Sequence, residues 1–238
     1  MLILLFLFSI QPAEIIPLNH QFRTITVYKN RIYLAPLIGT TIYQMEGPDT
    51  FIPITFTDEI DYQIRNFKVT PFAIYFNNGK SIEKFYYTTG TMETIHTGDD
   101  IISFVIKPSG ELILADRREH SIKILDFHYR PAYQINEIKV KDLWWFRERL
   151  YVLTRNSIVQ YDRFGNFLKK SRLKYHTQKI RVDSTGIYLF SSQDSYLYLY
   201  DQKWHRIKLN HKISDIALMK NKIIILDDKG TTLYIYNN

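Results

Sequence analysis

The chain has 238 residues, no cysteine, 15% aromatic side chains and a formal charge of +7. Without thiols there can be no disulfide, thiolate-bound zinc, iron–sulfur cluster or cysteine nucleophile, so apolar burial and strand pairing must hold the fold alone. Tyr, Phe and Ile suit half-buried pleated strands, and no long apolar stripe recurs at helical spacing, which points to an all-β chain.

Leu2–Ile10 is an unbroken apolar run, too short to span a bilayer and about the size of a signal-peptide core. Residues 1–13 are therefore expected to be a signal peptide cut after Ala13, with periplasmic or extracellular delivery and no membrane-spanning segment. Two features are unlike a standard signal: no Lys or Arg precedes the run, and Gln11 stands where a small residue is usual. A buried first strand and a mis-assigned start codon are the other readings of the run.

From Arg23 onward, a short apolar strand containing Ile-Tyr or its equivalent recurs. Its copies are Ile32-Tyr33, Ile74-Tyr75, Leu112-Ile113, Leu150-Tyr151, Ile187-Tyr188 and Ile223-Ile224, at spacings of 42, 38, 38, 37 and 36 residues. A period near forty is that of a propeller blade. The fourth copy reads as four strands, Val140–Arg147, Arg149–Arg155, Ser157–Phe164 and Phe167–Leu173, with Gly165-Asn166 in the last turn. The sixth copy stops after three strands. The predicted fold is thus a six-bladed β-propeller over 14–238, with four-stranded antiparallel blades. Glu14–Leu18 (EIIPL) would pair on the outside of the last blade, where an edge strand tolerates Pro17 and closure removes an open edge. Thr57–Arg65, the longest non-repeating connection, is the candidate functional loop.

Two repeats carry more than a period. LADRREHSIKILD (Leu114–Asp126), with Ala-Asp, a polar turn ending in a small residue and then an alternating strand and Asp, and SIVQYDRFGNFL (Ser157–Leu168), with an aromatic-Asp strand end and a glycine in the following turn, resemble the NHL-type six-bladed propellers. That resemblance implies blade structure. It leaves activity open, because the class includes binding modules, RNA-binding domains, lyases and lactonases.

The face that carries the blade connections and second-to-third strand turns is where such rings commonly bind ligands. It holds Asp99, Asp116, Arg117, His120, Arg155, His176, His211 and Asp228 among other polar residues. Arg117, Arg155, His176 and His211 are ligand-binding candidates there, the two histidines being a possible acid–base pair. Asp99, Asp116 and Asp228 are the carboxylates that could converge on a cation in a lactonase-like site, although no local metal motif supports it. No cofactor motif is present. In the channel, counting back from each Ile-Tyr pair places Thr26, Lys68, Phe104, Trp144, Arg181 and Ala217 at one level. Lys68 and Arg181 are then opposed cations, either of an anion site walled by Trp144 or of a water-filled channel that solvates both.

The positive charge is local. Residues 139–181 hold twelve Lys or Arg against three acids, while the remainder of the chain has nineteen against twenty-one. Lys170, Arg172 and Lys174 alternate along the outer strand of blade four and form a candidate basic surface, either an anti-pairing edge or a contact for an acidic partner. The expected function is a non-catalytic, monomeric, exported binding or scaffold propeller. It would recognise a protein or an acidic ligand, such as a polysaccharide or anionic headgroup, through the loop face or the basic side of blade four. Nucleic acid would suit the charge but not the compartment. The alternative is a lyase or lactonase-like hydrolase with a metal or histidine site in the same pocket.

Overall fold

A computed structural model describes residues 11–47, 49–56, 62–136 and 138–237; the Leu2–Ile10 run and residues 57–61 of the Thr57–Arg65 loop lie outside them. Six four-stranded antiparallel sheets form the blades of a six-bladed β-propeller, and no helix occurs among the described residues. Blade four consists of Val140–Phe146, Arg149–Thr154, Ser157–Asp162 and Phe167–Arg172 from channel to rim. Its inner hairpin turns at Arg147-Glu148, both at positive φ, as a two-residue turn matched to strand twist requires.

The middle strands are apolar on both sides because each blade packs against a neighbour on either face. All five residues of Ala73–Asn77 and of Leu112–Asp116 are buried. The core is therefore a set of wedges between blades, not one central mass. Phe56 stacks on Phe76 at 4.8 Å between blades one and two, and Tyr188 and Phe190 pack with Ile216 and Ile225 between blades five and six. Each such side chain contributes about 1.5–3 kcal/mol by leaving water.

The ring closes through an N-terminal strand. Glu14–Pro17 pairs antiparallel with Thr232–Asn237, from Glu14 opposite Ile235 to Pro17 opposite Thr232, and becomes the outer strand of blade six. Ile16 is buried there with Leu233 and Ile235. Phe22 N–H then donates to the Gly230 carbonyl at 2.8 Å. Gly230 has φ +73°, and a Cβ at that position would overlap the Phe22 backbone, so this junction needs glycine.

Blade three corrects one detail of the sequence register. Its inner hairpin is closed by Lys107 N–H to the Glu111 carbonyl across Pro108-Ser109-Gly110, a turn one residue longer than the Arg147-Glu148 turn of blade four. By strand pairing, Val105 opposite Ile113 is the counterpart of Trp144 opposite Tyr151. Phe104 is displaced from the channel position and is buried between blades two and three. In the Thr57–Arg65 connection, Tyr62–Gln63 forms a small extra sheet with Ile38–Gly39.

Candidate functional site

The channel contains both cations singled out from sequence, but it uses them differently. Lys68 Nζ lies 4.3 Å and Arg181 Cζ 4.8 Å from the centre of a Trp144 ring, whose Nε1 donates to the Val182 carbonyl at 2.8 Å. Arg181 is only 7% exposed. Its guanidinium donates to Asp142 at 3.0 Å, to Asp215 at 2.7 Å, and to the carbonyls of Ile180 and Ile216. With four donor contacts satisfied inside the protein, Arg181 serves the fold rather than a channel ligand.

The two carboxylates owe their aim to irregular strands. The inner strands of blades four and six shift register between Val140 and Asp142 and between Ile213 and Asp215, and a bulge of this kind redirects a side chain. Asp142 also accepts from Ser103 Oγ at 2.6 Å and from Ile180 N–H at 3.0 Å, and Asp215 accepts from Ile25 N–H at 3.3 Å. Ser103, Asp142, Arg181, Asp215 and Ile25 thus link five successive blades around the channel. Burial pushes the Asp142 carboxyl up, but Lys179, Arg181, Ser103 and the Ile180 amide outweigh it and hold it below the usual carboxylate range. Lys68 has the opposite balance. Burial inside the ring, and secondly the Arg181 charge, push its ammonium down to about 7 against the opposing pull of Asp142 and Asp215.

On the loop face, the aspartates serve their own turns. Buried Asp116 accepts four backbone N–H bonds, from Asp99, Asp100, Arg118 and Glu119. Asp227 accepts from the Thr231 and Thr232 amides. Asp126 and Asp162, the repeated aspartates of the propeller-like motif, cap their third-to-fourth strand turns in the same way. Asp99, Asp116 and Asp228 do not converge; among the described residues, no three His, Asp or Glu side chains form a cation site.

The same face does gather the basic candidates. A cleft of about 500 Å³ over blades three and four is lined by Arg117, His120, Lys139, Val140, Lys141, Arg155 and His176. Arg117 and His120 come from the second-to-third turn of blade three, and Arg155 from the same turn of blade four. Lys139 and Lys141 flank Val140 at the start of the inner strand of blade four, and His176 lies in the connection to blade five. Among the described residues, none lining the cleft is acidic. Arg117 has a loose contact with Asp100 at 3.5 Å, outside the lining. Lys141 donates to the Thr177 carbonyl at 2.7 Å, and burial together with the Arg155 charge pushes its ammonium down. The cleft therefore holds mutually repelling cations that an anion would relieve.

His211 is not part of this cleft. It stacks on Tyr234 at 3.6 Å and shares a hydrogen bond with Tyr236 Oη at 2.9 Å in blade six. On the rim, Lys170 and Arg172 are exposed on the outer strand of blade four, which ends at Arg172. Lys174 lies beyond it, in the connection, with Nζ 5.5 Å from the Tyr175 ring. That strand also exposes Phe167 and Leu168.

No protein-family model matches the chain, and no curated protein does either. Solved structures do. Virginiamycin B lyase from Staphylococcus aureus superposes with TM-score 0.65 at 11% identity, over 94% of this chain and 88% of the lyase. The WD40 propeller domain of Doa1 gives 0.67 at 10% identity, over 96% and 97% of the two chains. The computationally designed Ika8 protein gives 0.63 at 10% identity, over 94% and 74%. At such identities the likeness is one of fold.

Sequence reasoning passed over Lys139 and Lys141 in the cleft and Asp142 and Asp215 in the channel. All four were visible as charged residues at the start of or within apolar inner strands, in KVKDLWW and ISDIALM. The two aspartates stand at equivalent places in the blades on either side of Arg181, and that placement was the available signal.

Proposed function

We propose that the chain is a non-catalytic binding propeller that holds an anionic ligand in the basic cleft over blades three and four. The observation that carries this reading is the cleft lining: Arg117, His120, Lys139, Lys141, Arg155 and His176 meet with no acidic residue among the described lining residues. Carboxylate, phosphate or sulfate groups on an acidic polysaccharide or protein fit its chemistry, since Arg offers planar paired donors and Lys a mobile point charge. Lys170 and Arg172 on the rim of the same blade extend the positive field toward such a partner. Isothermal titration with oligogalacturonate and with a sulfated oligosaccharide tests it. Saturable binding that weakens with salt and is lost in a Lys141→Ala/Arg155→Ala double variant supports the reading, and absence of saturable binding refutes it.

Export belongs to the same proposal. A cut after Ala13 would leave the closing strand Glu14–Pro17 intact. N-terminal sequencing of the mature protein checks this: a chain starting at Glu14 supports export, and one retaining Leu2–Ile10 counts against it.

The second reading, a lyase of the sort found among the structural neighbours, is favoured by the two imidazoles of His120 and His176 sharing the cleft. Turnover of a bound uronate that disappears in His176→Ala, with binding retained, would move the assignment there.

A further inference from the structure

The opposite mouth of the channel holds a second cavity, of about 670 Å³, formed by inner strands and inner hairpins of blades one to four. Five aromatic side chains stand in its wall. Tyr28, Tyr75, Trp144 and Trp145 line it, and Phe72, at 73% exposure, stands open at the lip. Two lysines contribute charge, and one of them is spent: Lys107 donates to Glu111 at 3.0 Å and to the Arg163 carbonyl at 2.9 Å. Arg181, the other cation near Trp144, is matched by Asp142 and Asp215. Lys68 has no hydrogen-bond or ion-pair partner among the described residues, only the Trp144 ring against its Nζ. An apolar cavity of this size with one unsatisfied polar focus has the form of a small-molecule site.

We propose that this cavity binds a flat aromatic monocarboxylate, its ring against Trp144 and Trp145 and its carboxylate on Lys68 Nζ. The aromatic wall selects a ring over a simple acid anion through stacking and burial. A single unsatisfied ammonium selects one negative charge, because a second would enter an apolar cavity unpaired. The site lies on the face opposite the basic cleft and stands independently of the anion-binding proposal.

Isothermal titration of the full chain with 2-naphthoate, 2-naphthamide and acetate tests it. The expected result is saturable 2-naphthoate binding, at least tenfold weaker binding of the amide and no measurable binding of acetate at the same concentration. Lys68→Met should weaken 2-naphthoate tenfold or more, and Phe72→Ala, at an exposed position, should weaken it without changing the melting temperature. Lys141→Ala/Arg155→Ala should leave it unchanged. Affinity should also fall between pH 6 and pH 9 as Lys68, surrounded by Arg181, Lys179, Asp142 and Asp215, loses its proton near 7. No saturable 2-naphthoate binding, equal binding of the amide, or loss of binding only in the cleft double variant would overturn the assignment.

Discussion

Arg181 in the channel and Arg155 in the loop-face cleft come from the same basic segment, yet their surroundings give them opposite roles. Arg181 is buried between two carboxylates that come from the blades on either side of its own. Arg155 is exposed among Lys139, Lys141, Arg117 and two histidines, with no carboxylate in the described lining. A buried cation must be matched where it lies, because desolvation costs several kcal/mol per ion. An unmatched group of cations persists only where water screens it, which is also where a ligand can reach it. The contrast separates a charge that holds the ring together from charges available for binding.

The sharpest way to break the comparison is Arg181→Met, which leaves Asp142 and Asp215 buried without their cation. It should destabilise by about 3–5 kcal/mol in urea unfolding, whereas Arg155→Ala should change stability by less than about 0.5 kcal/mol. Equal effects would dissolve the distinction. Ile16→Ala, in the closing strand, tests whether the ring depends on its seam as well as on its channel network; a loss of about 2–4 kcal/mol is expected from a buried Ile.

Lys68 sharpens the comparison from a third side, because it is neither matched nor fully solvated. Its folded-state value near 7 lies below the ordinary lysine value of 10.5, so between those pH values the unfolded chain holds a proton that the folded chain releases. Folding stability from this group therefore rises with pH across that window. Lys68→Met should raise the melting temperature at pH 6, and the gain should shrink by pH 9; a gain that grows with pH would reverse the sign of the argument. The smallest effect is expected at the rim, where Lys170→Ala and Arg172→Ala should leave stability within about 0.5 kcal/mol of the parent in urea unfolding.

The ring was legible in the sequence because the Ile-Tyr period survives almost unchanged through six copies and the missing outer strand of the sixth is supplied by EIIPL. Strand ends in blade four differ from the expected ones by one or two residues. Blade three slipped because a three-residue Pro-Ser-Gly turn displaces the register by one, which spacing alone cannot distinguish from a bulge. The site was legible in part. Arg117, Arg155 and His176 were identified as loop-face residues and do share a cleft, while His211 is held against Tyr234 and Tyr236 in another blade. Lys139 and Lys141 were hidden because they flank the first residue of an inner strand, and their reach to the loop face depends on where that strand begins. Arg181 was read as a channel ligand because its carboxylate partners are separated from it by 39 and 34 residues, a distance that only the ring closes.

The most direct measurement is oligogalacturonate titration of the parent chain, the Lys141→Ala/Arg155→Ala variant and the Lys170→Ala/Arg172→Ala variant at two salt concentrations. Saturable, salt-weakened binding that the cleft pair abolishes and the rim pair retains is the predicted result. Binding that survives loss of the cleft pair, or that disappears equally with the rim pair, would contradict the assignment of the cleft as the binding site.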